Sequence, residues 1–215
     1  MKKIKSSKSD FITAGLCLLA IIPGLLVYNK LPEQIPRHFD MNGNPDGYSG
    51  RLMVVVGFPI LMAVFALLGC LMLNLDKRQK NPEKVRKIFR MVFPVILYTT
   101  QAGILLYALD KIKDITAIEL TVFSILIIVI GNYMPKFKQS NIIGLRTSHT
   151  LENEELWTIT HRFAGRLWFI AGIVLLAFAL MKMLIPFLIL FALIIIIPVI
   201  YSEVMYKKLS TQKSE

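Results

Sequence analysis

The sequence predicts an all-α polytopic membrane protein: a bundle of six transmembrane helices with one short structured extracytoplasmic loop. Three observations carry that expectation. Of 215 residues, 55% are hydrophobic and only 18% charged, against about 45–50% and about 25% in soluble domains; the mean hydropathy is +0.59. Apolar runs close to the roughly 20 residues that cross a hydrocarbon core recur along the chain. Basic residues fall in blocks between those runs. The same composition excludes a disordered chain, a collagen-like fibre and a disulfide-stapled secreted module.

The runs lie at 11–28, 52–75, 91–109, 115–133, 167–181 and 183–206. The fourth carries Glu119, Thr121 and Ser124, and the fifth is short, so their ends are the least defined. Only Lys182 separates the fifth from the sixth, with Pro186 just beyond, which predicts a tight helical hairpin. Pro23, Pro59, Pro186 and Pro198 are expected to kink their helices, whereas Pro94 falls near a helix start, where proline costs least. The polar patch Tyr98-Thr99-Thr100-Gln101 is expected to make interhelical hydrogen bonds. Cys17 and Cys70 sit in apolar runs as small buried hydrophobes.

Charge sets the orientation. The net charge is +11 and the pI about 9.7, which in a soluble protein would point to nucleic acid. Here the segments 1–10, 74–90, 134–166 and 207–215 hold four, seven, five and three Lys and Arg, and the alternating segments hold six in all. Positive charge stays on the cytoplasmic side during insertion, so both termini are expected in the cytoplasm and no direct nucleic-acid binding is expected. The opening MKKIKSSKSD and the run behind it lack an A-x-A cleavage site and read as an uncleaved signal anchor. A bacterial plasma membrane fits this pattern. The expected organisation is a two-span unit over 1–75 with an extracytoplasmic loop at 29–51, a basic linker over 76–90, and a four-span unit over 91–215 with a cytoplasmic loop at 134–166. The linker, helical apart from Pro82, reads as an orientation signal against anionic headgroups.

In the outer loop, Pro32 and Pro36 hold the chain extended, and Asn42-Gly43 and Pro45-Asp46-Gly47 signal turns, which together predict a small hairpin. Asp40, Asn42, Asn44 and Asp46 alternate like half a calcium loop. Pro45 stands where that loop wants glycine, however, and Arg51 where it wants glutamate, so no metal site is expected. His38 has two readings, a structural hydrogen bond or a ligand contact.

In the inner loop, Pro135 ends the fourth span and Gly144 turns the chain ahead of Arg146. Thr150 is expected to cap a helix running from Leu151 into the fifth span, with Glu152, Glu154 and Glu155 in its first turn. Trp157, His161, Ala164 and Trp168 share one face of that helix. Two readings stand: an interfacial helix whose tryptophans anchor at headgroup level and whose arginines meet lipid phosphates, or a polar pocket on which Arg146, His161 and Arg162 converge with Asn141 and Trp157.

The loops carry a family resemblance. Leu31-Pro32, Ile35-Pro36, His38-Phe39, Gly43 and Pro45-Asp46 resemble the small N-terminal domain of unknown function that precedes many SdpI-family proteins. Asn132, Pro135, Asn141, Gly144, Arg146, Thr147, Trp157, His161 and Arg162 resemble the SdpI signature itself. One departure is Ser148-His149, where the family usually has Pro-Trp, and a looser local turn is expected there. The resemblance implies an immunity protein that binds and neutralises a membrane-active toxin peptide. It further implies that the engaged protein recruits a winged-helix transcriptional repressor to the membrane.

No catalytic residues and no cofactor are expected, because the nucleophile elbow, HExxH, Walker and dinucleotide motifs are all missing from the sequence. The alternative is a membrane enzyme or lipid-handling protein whose inner Arg/His loop binds a phosphate headgroup, with His161 as acid or base.

Overall fold

The computed structural model describes residues 8–40, 44–78 and 80–212. Six helices are long and apolar enough to cross a membrane: Lys8–Lys30, Met53–Leu75, Glu83–Ala108, Thr116–Lys136, Glu154–Leu180 and Leu184–Thr211. The chain is an all-α polytopic membrane protein, and a two-stranded hairpin is the one sheet among the described residues. Leu26, Ile170, Leu180 and Ile185 are each more than 60% exposed, a surface suited to lipid rather than water. By internal contacts the chain forms two compact units, one of residues 1–74 with 87–123, the other of 75–86 with 124–215.

In the first unit the opening span is two helices, α1 (Lys8–Leu19) and α2 (Ile21–Val27). Pro23 lacks an N–H, and just before it the Ala20 N–H tightens onto the Cys17 carbonyl at 3.2 Å. The Leu16 carbonyl accepts instead from the Tyr98 hydroxyl at 2.9 Å. A turn at Tyr28–Lys30 leads to β1 (Gln34–Phe39), which pairs antiparallel with β2 (Pro45–Gly50). This is the expected hairpin. Ile35 is wholly buried and anchors β1 in a cluster with Leu31, Val54, Val55, Ile104, Leu105 and Ile115. A π-turn at Met53–Gly57 enters α3 (Phe58–Leu75). A Cβ on Gly24 would lie 2.7 Å from Val55 Cγ1, so glycine is needed where α2 meets that turn.

Helix α4 (Glu83–Ala108) begins eight residues before the expected third span. Pro82 precedes it, a good residue for a helix start, and Glu83 favours the N-terminal dipole. Pro94 therefore lies in the helix interior and not near its start. Arg90, in the second turn of α4, is 2% exposed and donates to Asp10 of α1 at 3.0 Å, while Asn74 of α3 donates to the same carboxylate at 2.7 Å. Three helices are clasped by one carboxylate. Cys70 lies within hydrogen-bonding reach of that pair, so its surroundings are more polar than its apolar run predicts. In the polar patch, Tyr98 bonds between helices as expected, Thr100 bonds to Glu119 of α5 (Thr116–Tyr133), and Thr99 bonds to Val95 within its own helix. Gln101 is 1% exposed with neither side-chain polar atom partnered.

In the second unit a turn at Met134–Lys136 closes α5, and α6 (Ser148–Glu152), α7 (Glu154–Leu180) and α8 (Leu184–Gln212) follow. The fifth span, expected to be short, is a 27-residue helix. Small residues let α5 and α7 approach closely: a Cβ on Gly131 would meet the Phe169 nitrogen at 2.6 Å, and one on Gly165 would meet Pro135 Cδ at 2.6 Å. The α7–α8 hairpin turns at Lys182, which takes a left-handed φ of 58°. Trp168 Nε1 donates to the Ile194 carbonyl at 2.8 Å. That carbonyl is the one Pro198 leaves unbonded four residues later, since proline has no N–H to return.

Candidate functional site

The inner loop folds around three side chains of α7 and its cap. The helix expected from Leu151 is divided in two. Thr147, not Thr150, caps α6, in a reciprocal arrangement with Thr150, and Asn153 caps α7 by accepting from Glu155 and Leu156 N–H at 2.9 and 3.0 Å. Thr150 is fully buried, and its hydroxyl also donates to the Leu145 carbonyl at 3.0 Å. The Ser148-His149 departure does not loosen the turn. The His149 ring stacks on Tyr206 of α8 with centroids 3.6 Å apart, and its Nε2 lies 3.5 Å from Glu203.

Trp157 is 1% exposed, and its indole N–H donates to the Phe137 carbonyl at 2.9 Å. One turn on, the His161 ring stacks against it at 4.1 Å. His161 is wholly buried. Its Nδ1 faces the Trp157 carbonyl at 2.8 Å, and its Nε2 accepts the Leu145 N–H at 2.9 Å. A carbonyl can only accept, so Nδ1 carries the proton and Nε2 the lone pair. The ring is neutral and both nitrogens are occupied, which leaves no atom for acid or base work on a substrate. Gly144 packs over this stack at φ +111°, where an added Cβ would lie 2.5 Å from His161 Nε2 and 2.8 Å from the Trp157 ring. Only glycine fits.

Asp76 organises the rest of the loop. Its carboxylate accepts from the Ser140 hydroxyl at 2.5 Å, from Asn141 N–H at 2.8 Å, from Asn141 Nδ2 at 2.6 Å and from Arg78 N–H at 3.0 Å. Burial pushes the carboxyl up, but these hydrogen bonds outweigh it and hold Asp76 below its usual range. Asn81 grips Lys138 from both sides, donating to its carbonyl at 3.0 Å and accepting its N–H at 2.8 Å. Arg78 donates to the Leu151 carbonyl, and Gln139 to that of Thr150 at 3.1 Å. The linker read as an orientation signal is thus part of the loop's scaffold. Sequence reasoning missed Asp76, Asn81 and Ser140. The one available signal was an acid and an amide, Asp76 and Asn81, standing inside a strongly basic segment.

The expected convergence of Arg146, His161 and Arg162 is only partly present. Arg146 is exposed and its guanidinium closes the loop onto the Asn141 carbonyl, while Asn141 and Trp157 lie in the same folded loop. Arg162 is exposed and its side chain makes no ion pair or hydrogen bond among the described residues. Asn132 and Pro135 lie at the end of α5, Asn132 exposed and Pro135 against Gly165.

On the hairpin, His38 Nδ1 lies 2.5 Å from Asp46 Oδ1, and Asp40 accepts from the Asn44 N–H at 2.8 Å. Two carboxylates of the half calcium loop thus serve the hairpin's own hydrogen bonds. Pro36 is buried opposite Tyr48, Pro45 pairs with Phe39, and Pro32 stands exposed before β1. Gly43 and Asn42 lie outside the described residues.

Residues 136–202 match the SdpI/YfhL protein family, and residues 15–63 match a domain of unknown function, DUF1648. The chain is 27% identical over 168 residues to the immunity protein SdpI of Bacillus subtilis (strain 168), covering 78% of this chain and 80% of that one. It is also 38% identical over 52 residues to the uncharacterized membrane protein YbgB of the same organism, covering 24% of this chain and 57% of that protein. No solved structure matches. The chain is thus a multi-pass membrane protein in which a region matching DUF1648 precedes a region matching the SdpI/YfhL protein family.

Proposed function

We propose that this protein is an integral membrane immunity protein that binds and neutralises a membrane-active toxin peptide, in a bacterial plasma membrane with both termini in the cytoplasm. The observation that carries the reading is similarity to an immunity protein across 80% of that protein's length. The folded inner loop supports it as a rigid partner surface: its core is locked by the Trp157–His161 stack, and Arg146 and Arg162 are exposed. A winged-helix repressor recruited to that basic surface would add signalling to protection. The enzyme alternative is disfavoured by His161, whose two ring nitrogens are already bonded inside the loop.

Deleting the gene and challenging cells with a panel of membrane-active peptides tests the reading. The expected result is markedly lower survival against one peptide, restored by the wild-type gene. Unchanged sensitivity across the panel rejects immunity. Co-purification of a DNA-binding protein only in the presence of that peptide would establish the signalling half.

A further inference from the structure

An open cavity of about 510 Å³ in the first unit is lined by Lys30, Gln34, Pro36, Tyr48, Tyr107 and Asp110, among others. It lies at a particular depth. Lys30 is the last residue of the first apolar helix and Ala108, also in the lining, is the last of the third, so the cavity opens where hydrocarbon gives way to headgroups. Its size falls within the range of small-ligand sites, roughly 300–1,000 Å³.

The charge of Asp110 is unusual for its position. Asp110 follows the C-terminus of α4, where the helix dipole is negative and a cation is favoured over an anion. It also adopts a left-handed φ of 55°, a conformation that disfavours side chains, though aspartate less than most. The Asp110 N–H bonds to the Tyr107 carbonyl at 3.0 Å and the Lys111 N–H to that of Leu106 at 2.9 Å, which fixes the residue in place. Neither Lys30 nor Asp110 has an ion-pair partner among the described residues, although Lys111 adjoins one of them in sequence. Carboxylate and helix end together make a spot that attracts a cation. Lys30 supplies the complementary handle for an anion.

We propose that this cavity binds the headgroup of a zwitterionic phospholipid carrying a primary ammonium, phosphatidylethanolamine, with the phosphate at Lys30 and the ammonium at Asp110. A primary ammonium donates three hydrogen bonds to carboxylate and water, and a choline headgroup donates none. A glycerol headgroup brings no cation at all.

The test is lipid retention by the full-length protein. The protein is reconstituted in nanodiscs of equal phosphatidylethanolamine, phosphatidylcholine and phosphatidylglycerol, then extracted gently and weighed by native mass spectrometry. The expected wild-type result is retention of phosphatidylethanolamine about threefold or more above either competitor. Asp110→Asn should bring it down to the phosphatidylcholine level, and Lys30→Gln should lower retention of all three. Asp110→Gly relieves the left-handed conformation, so it should melt no lower than wild type yet lose the preference. A purely structural Asp110 would leave lipid retention unchanged in both variants. Equal retention in the wild type overturns the proposal, as does a preference that survives Asp110→Asn. Binding of soluble phosphoethanolamine as tightly as the lipid would also overturn it, making the ligand a free zwitterion. Loss of the lipid preference would leave the immunity test standing, because each has its own readout.

Discussion

A methyl group on Gly144 would press into His161 Nε2 at 2.5 Å and demand a backbone angle that side chains rarely take. Gly144→Ala should therefore break the Leu145–His161 bond and destabilise the second unit by about 1–3 kcal/mol, read as a lower melting temperature and altered Trp157 fluorescence. Asp76 makes a second prediction at this scale. Its folded carboxyl titrates below the unfolded one, so its contribution is complete above about pH 4 and disappears as pH falls through the lower folded value. Asp76→Asn should lose about 2 kcal/mol at neutral pH and flatten the acid limb of the stability profile. A mutant profile as steep as the wild type would mean that another carboxylate governs it. Arg146→Ala should leave the protein in the membrane but loosen loop 141–146, where its guanidinium holds the Asn141 carbonyl. Loss of protection at unchanged expression is the outcome to measure.

Helices α7 and α8 exchange a hydrogen bond that neither could make within itself. Trp168→Phe should strand the Ile194 carbonyl and cost about 1–3 kcal/mol. Adding Pro198→Ala returns an N–H to that carbonyl, so the double variant should recover much of the loss, and a double-mutant cycle measures the coupling. Additive losses would show that the indole bond contributes little. At this scale the sequence was legible wherever hydrophobicity sets the answer: six apolar runs became six helices because lipid demands length and composition together. Ends were harder to read. Glu83–Arg90 is polar, and so falls outside any apolar window, yet its residues are good helix formers and α4 simply continues through them. The inner helix breaks at Asn153 because two competing caps lie within a few residues, and only tertiary contacts decide that Thr147 and Asn153 serve while Thr150 turns inward.

For the whole molecule, the resemblance named residues of the inner loop but not the partners that hold them in the fold. Gly144, Trp157 and His161 do form one cluster. Asp76 and Asn81 lie some 60 residues before the loop atoms they hold, a separation no local pattern reveals. Orientation follows from charge, and the loop at 134–166 is expected to face the cytoplasm. Single cysteines placed at exposed positions 138 and 48, in a chain whose native cysteines are buried, should react with an impermeant thiol reagent only at 48 in intact cells. Labelling at 138 instead would reverse the topology and remove the inner loop from any cytoplasmic partner.

The carbonyl freed by Pro198 has a consequence for biogenesis. Until α7 lies alongside, α8 carries an unsatisfied polar group at Ile194, and hydrocarbon offers it no substitute. The two helices, joined by a turn at Lys182, should therefore leave the translocation machinery as a pair, with the indole of one completing the backbone of the other.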